Sequence, residues 1–171
     1  FVSKLGKAYN EIGFVALKGH FLDDNDIKEV YSSIKEFFDL PEEIKAKYEL
    51  DGFDGQRGYT SFGKEHAKGK KHGDLKEFWH FGQYLDDDEY TKFNYPKNQI
   101  VSELPKFNNI GKKVFQSLEK TAIYVLRAIS LYLDLEEDHF DKYVKKGNSI
   151  LRPIHYPPIQ TKPKGAERAA A

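Results

Sequence analysis

The sequence predicts an α+β fold, and three observations carry that prediction. Apolar residues recur at helical spacing over several separate stretches, two short segments alternate or run apolar like strands, and a glycine-rich segment divides the first half of the chain from the second. With 171 residues, 39% hydrophobic and 15% aromatic, the chain is long enough for one domain with a real core. Its 27 basic and 27 acidic side chains balance, so nothing points to field-driven capture of nucleic acid or of acidic membranes. No apolar run reaches the length of a membrane span. The absence of cysteine removes thiol chemistry and is compatible with a reducing, cytoplasmic setting. The start at Phe1 and the end in Glu167-Arg168-Ala169-Ala170-Ala171 read as those of a piece of a longer chain.

Val2, Leu5, Tyr9 and Ile12 predict a short one-sided helix, which Gly13 would end in a left-handed conformation. Phe14-Val15-Ala16-Leu17 reads as a buried strand closed by Gly19-His20. The acidic run from Asp23 to Asp26 offers capping oxygens to a second helix built on Ile27, Val30, Tyr31, Ile34, Phe37 and Phe38. Leu40-Pro41-Glu42-Glu43 restarts the chain as a third, shorter helix anchored by Ile44 and Tyr48, with its glutamates at the positive end. Residues 51–74 carry six glycines and a lysine-rich patch over 64–71, and read as a long loop of the kind that is often a functional rim.

Leu75 to Phe81 reads as a strand carrying the only tryptophan, Trp79, which suits a core position. Residues 86–96 read as an acidic, aromatic surface connection. Ser102 is placed to cap a long helix over residues 105–133, whose wide stripe of Ile110, Val114, Leu118, Val125, Ile129 and Leu133 requires a large partner surface. Residues 136–146 predict a further helix ended by Gly147. The last element is a strand in Asn148-Ser149-Ile150-Leu151-Arg152-Pro153-Ile154-His155-Tyr156-Pro157-Pro158. Alternation puts Ile150, Arg152, Ile154 and Tyr156 on one face, so a cation and a phenol sit among aliphatics and either face solvent or form an anion site.

Two His-x-Asp pairs, His72-Gly73-Asp74 and His139-Phe140-Asp141, have the composition of half a ferrous iron site. Neither suits the role: on a helix, residues two apart diverge, and the first pair lies in a lysine-rich loop. No phosphate loop, dinucleotide fingerprint or serine elbow is present.

The ordered set Gly13-Phe14, Gly19-His20, Phe37-Phe38-Asp39-Leu40-Pro41-Glu42-Glu43-Ile44-Lys45-Ala46-Lys47-Tyr48, Gly55-Gln56-Arg57-Gly58-Tyr59, Asp74-Leu75-Lys76-Glu77-Phe78-Trp79-His80 and Leu151-Arg152-Pro153-Ile154-His155-Tyr156-Pro157-Pro158 resembles the isopenicillin N synthase-like family of 2-oxoglutarate- and iron(II)-dependent oxygenases, especially bacterial members. The resemblance spans nearly the whole chain. It implies a double-stranded β-helix, or jelly roll, with helices outside it. Residues 1–147 would form the N-terminal helical and mixed region, and residues 148–171 the first strand or strands of the jelly-roll core.

Under the resemblance the iron ligands, a His-x-Asp pair and a distant histidine, and the arginine that anchors 2-oxoglutarate all fall after Ala171, so no metal ligand or catalytic residue is assigned here and this piece alone is expected to be inactive. Tyr156 stands where the family has a tyrosine that reaches 2-oxoglutarate. Ile154 stands where plant members carry an asparagine for the same ligand. Arg152, on the face of Tyr156, meets either a carboxylate of substrate or cosubstrate or an internal salt bridge. Arg57 and Tyr59, with Gln56 beside them, match a segment that lines the substrate pocket in some relatives, and Arg168 would sit near the barrel mouth. Glu77 reads as structural. The implied activity is oxidation of a small organic substrate by dioxygen with conversion of 2-oxoglutarate to succinate and CO2, without nucleic acid or membrane partners. An oxidase of the same family that dispenses with 2-oxoglutarate, and a metal-free binding module, stand as alternatives.

Overall fold

The structure, a computed structural model, describes residues 1–53, 55–66 and 72–159. Helix α1 (Val2–Glu11) ends as its sequence requires: Gly13 adopts φ +81° and donates its N–H to the carbonyls of Ala8 and Tyr9. Helix α2 (Asp24–Phe38) starts at Asp23, whose side chain accepts from the Asn25 N–H at 2.7 Å. Helix α3 (Glu42–Lys45) continues into a single 3₁₀ turn over Ala46–Tyr48. Helix α5 (Pro105–Tyr132) is the long brace, packed along α1 and α2.

An antiparallel sheet lies against these helices. Strand β2 (Glu77–Gly82) is central, with β1 (Gly58–Thr60) on one side and β3 (Ile150–Leu151) and β4 (Ile154–His155) end to end on the other. Pairing is Tyr59 with Trp79, Phe81 with Leu151, and Phe78 with Ile154. One register thus runs through the interruption at Arg152-Pro153, where the Trp79 N–H still donates to the Pro153 carbonyl at 3.0 Å. The sheet draws strands from both sides of residue 147.

Alternation along β2 sends Trp79 and Phe81 to the helices and Phe78 and His80 to the opposite face. On the helix side, Phe37 of α2 stacks on Phe107 of α5 with centroids 4.9 Å apart, and Trp79 meets both rings edge-on at 4.9 and 5.2 Å. Each such pair adds about 0.5–1.5 kcal/mol beyond burial of its area. Gly111 lets α5 close on the sheet, since a Cβ there would lie 2.3 Å from the Phe81 ring.

Several expectations are corrected. Phe14 to Leu17 is not a strand: no strand pairs with it among the described residues, Phe14 is 82% exposed, and Leu17 only borders a cleft beside α5. The long loop contains β1, too short to show a period. The connection over residues 86–96 contains α4 (Asp87–Phe93), started by a capping box in which Glu89 Oε2 accepts from the Asp86 N–H. Ser102 does not cap α5. Its hydroxyl contacts Tyr48 and Glu103, and the helix begins at Leu104-Pro105. The helix expected over 136–146 is reduced to α6 (Asp141–Val144), because residues 136–141 form three-residue turns and Lys146 takes φ +59°.

Candidate functional site

The sheet face turned away from the helices carries the candidate site. His80 extends from β2, and the register places Arg152 directly across from it. Arg152 Nε donates to His80 Nε2, and the Arg152 guanidinium lies over the Phe78 ring, 4.5 Å from its centroid. His80 Nδ1 in turn meets the Gly55 carbonyl. A ring nitrogen that accepts from a guanidinium carries no proton, so the imidazole is the neutral Nδ1–H tautomer. Burial, the positive charge of Arg152 and that of Arg57 push its pKa down to about 4, against weaker upward effects of the Gly55 carbonyl and Glu65.

Arg57 is fully buried, and its guanidinium fills the space over Gly82, where a Cβ would lie 1.8 Å from Nε. Nη2 donates to Asn148 Oδ1 at 2.7 Å and Nη1 to the Gln56 carbonyl at 2.7 Å. Nε has no partner among the described residues, and no carboxylate pairs with this arginine there. Burial lowers its pKa from the ordinary arginine value. Asn148 Nδ2 also donates to Gln56 Oε1 at 3.1 Å, tying the loop before β1 to the segment entering β3. Next to this cluster opens a cavity of about 500 Å³, bordered by Gly55, Thr60, Glu65, His66 and Phe78. Thr60 pairs with Phe78 across the sheet, and its buried hydroxyl has no partner among the described residues.

Gln56, Arg57 and Arg152 are thus held on or beside one surface. Tyr156 follows two residues after Ile154 and is 38% exposed. Tyr59 belongs to a different group. It pairs with Trp79 on the helix side, and its hydroxyl donates to Glu77 and, at 3.3 Å, to Glu42. Glu77 also takes a 2.7 Å ion pair from Lys45 and a 2.7 Å contact from His155 Nδ1. Burial pushes the Glu77 carboxyl up, yet bonds from Lys45, Tyr59 and His155 outweigh it and hold the pKa below the usual carboxylate range. Arg168 lies outside the described residues.

His80, Phe78 and Asn148 are the members that sequence reasoning passed over. Alternation about Trp79 places Phe78 and His80 on the face opposite the core, but the partnership with Arg152 requires the register of a strand some seventy residues away. Of the two His-x-Asp pairs, Asp141 is engaged by Arg127 at 2.6 Å. Among the described residues no three His, Cys, Asp or Glu side chains converge as a metal site, so an iron ion does not fit these residues alone.

A helical region laid against an antiparallel sheet, with a basic and aromatic outer face on that sheet, is the architecture of the first half of a jelly-roll oxygenase. The chain belongs to the family described as non-haem dioxygenase in morphine synthesis N-terminal, whose pattern matches residues 1–103. It is 30% identical over 162 residues to a 1-aminocyclopropane-1-carboxylate oxidase of Dictyostelium mucoroides, covering 90% of this chain and 43% of that protein. It is 29% identical over 174 residues to a 2-oxoglutarate-Fe(II) type oxidoreductase of Metarhizium rileyi, covering 92% and 46%. Among solved structures, a protein from Caulobacter crescentus assigned to the 2OG-Fe(II) oxygenase family matches with TM-score 0.82 and 40% identity over 95% of this chain and 53% of that one. A Neurospora crassa protein in complex with alpha-KG matches with TM-score 0.72 and 25% identity, over 91% and 45%. The chain spans about half the length of the relatives it matches. Among the described residues, no helix is long and apolar enough to cross a membrane.

Proposed function

We propose that this chain is the N-terminal portion of a non-haem iron(II)- and 2-oxoglutarate-dependent oxygenase acting with dioxygen on a small organic substrate in the cytoplasm, without nucleic acid as a partner. Residues 1–147 form the helical and mixed region, which includes strands β1 and β2, and the strand from residue 148 onward adds to β2 to make one wall of the reaction chamber. The observation that carries the reading is the partly exposed Arg152 guanidinium, held by the neutral His80 on the sheet face opposite the helices, with the buried Arg57 behind it and the Thr60 and Phe78 cavity beside it. Iron and 2-oxoglutarate, when bound, supply oxidation of the substrate coupled to release of succinate and CO2.

This chain's residues bind and orient. Arg152 offers a guanidinium fork to a carboxylate, and Tyr156, on the same wall, offers a hydroxyl to the cosubstrate. Gln56 and Arg57 fix the rim through Asn148. Arg168 is assigned to the barrel mouth and the iron ligands to the polypeptide after Ala171. Tyr59 is retained as a pocket residue because it borders the cavity, although its hydroxyl is committed to Glu77.

The second reading is an oxidase of the same family that dispenses with 2-oxoglutarate, and the similarity to a protein named 1-aminocyclopropane-1-carboxylate oxidase supports its oxidase part. Succinate release by the full-length protein, with iron and 2-oxoglutarate each omitted in turn, separates the two. The leading reading expects release only with both, and oxygen consumption that persists without 2-oxoglutarate contradicts it.

A further inference from the structure

The contacts of Arg152 leave a particular part of it available. Nε is consumed by His80, one face of the guanidinium is covered by Phe78, and Nη1 lies a long 3.5 Å from Glu65 Oε1. The other carboxylate oxygen of Glu65, Oε2, is shared with Lys76 at 2.6 Å. The side chain stays 38% exposed, so its Nη edge is the part presented outward. His80 is 3% exposed, and both its ring nitrogens are committed, one to Arg152 and one to the Gly55 carbonyl. An aspartate or glutamate in its place would orient the arginine equally well but cancel its charge. A neutral imidazole orients the fork without adding a negative charge to that of Glu65, whose long contact leaves Arg152 a net attraction for a ligand carboxylate.

We propose that His80 is a positioning residue, a neutral acceptor that aims the Nη edge of Arg152 at a carboxylate of the cosubstrate or of the substrate. The inference rests on the oxygenase reading for the identity of that carboxylate, but the His80–Arg152 bond is testable without turnover.

The test uses the full-length protein with His80→Gln, His80→Phe, His80→Glu and Arg152→Gln. In nitrogen-15 spectra the Arg152 Nε–H is expected as a resolved, exchange-protected signal in the parent and in His80→Gln, and as an unprotected one in His80→Phe. Titration with 2-oxoglutarate, and separately with 1-aminocyclopropane-1-carboxylate as the substrate-side probe, identifies the carboxylate recognised. For that ligand, His80→Phe is expected to weaken binding about tenfold, the scale of one hydrogen bond to a charged group. His80→Gln is expected to stay near the parent and His80→Glu to bind more weakly still. In the Arg152→Gln background, His80→Phe is expected to have no further effect.

A merely structural histidine would give equal losses in both backgrounds, and that result overturns the proposal. So does an Arg152 Nε–H unaffected by His80→Phe. Loss of binding on Arg152→Gln with no effect of His80→Phe overturns the role of His80 and leaves the oxygenase reading intact. Binding of neither carboxylate, with normal Nε–H protection, overturns the recognition role on the ligand side. Absence of succinate release alone contradicts the oxygenase reading.

Discussion

Replacing Glu77 by leucine tests how the helices are fastened to the sheet. The carboxylate is 5% exposed and takes bonds from Lys45, Tyr59 and His155, while Lys45, also 5% exposed, has otherwise, among the described residues, Glu42 at 3.5 Å, the Phe38 carbonyl at 3.4 Å and the Tyr59 ring at 5.4 Å. Removing one partner of a buried pair costs about 3–5 kcal/mol, because the remaining charge is left in a poorly solvated site. The solvent-exposed Glu42 relieves Lys45 only in part, since exposed pairs contribute about 0–1 kcal/mol. The expected loss for Glu77→Leu is therefore about 3 kcal/mol or more. Urea unfolding of the full-length protein at pH 7, followed by far-ultraviolet circular dichroism, reads this as a lower midpoint with an unchanged slope. The double variant Lys45→Met with Glu77→Leu removes both charges and is expected to be less destabilised than the sum of the singles by about 2 kcal/mol. A loss below about 1 kcal/mol for Glu77→Leu, or simple additivity in the cycle, would refute the reasoning.

Three further outcomes are expected. The folded-state pKa of His80, about 4, lies below the ordinary value of 6.5, so the unfolded chain binds its proton first on acidification. Its contribution to stability is thus complete above about pH 6.5 and is lost as pH falls toward 4, at up to about 1.4 kcal/mol per pH unit. His80→Gln should remove that part of the slope measured by urea unfolding between pH 6.5 and 4. Gly111→Ala drives a methyl into the buried Phe81 ring and should cost about 1–3 kcal/mol of packing against a helix-propensity gain of about 1 kcal/mol. Restoration of the midpoint by a second change, Phe81→Leu, checks the cause. Tyr156→Phe should raise the KM for 2-oxoglutarate several-fold while leaving the unfolding midpoint unchanged, and an unchanged KM removes Tyr156 from the cosubstrate contact.

How much was legible in the sequence followed the range of each signal. Helices α1, α2 and α5 were legible because their periodicity and end signals are local: Gly13 stops α1, Asp23 starts α2, and the stripe from Ile110 to Ile129 needs a long partner surface, which α1 and α2 mainly supply and which leaves Leu118 partly exposed. Trp79 followed from its bulk and its strand neighbours. Strand β1 is too short to show alternation, and the Phe14 to Leu17 run shows that apolar residues make a strand only where a partner edge is available. For the site, the side of the sheet taken by Arg152 followed from alternation, whereas its pairing with His80 depended on a register set by distant chain. Tyr59 went to the helix side because its pairing with Trp79 outranks its neighbourhood to Arg57 in sequence.

The most direct measurement is a crystal structure of the full-length protein with 2-oxoglutarate bound. The expected result places the ligand on the sheet face of Phe78 and His80, with a carboxylate oxygen within hydrogen-bonding distance of an Arg152 Nη nitrogen or of the Tyr156 hydroxyl. A ligand bound elsewhere, with both side chains directed into bulk solvent, would contradict it.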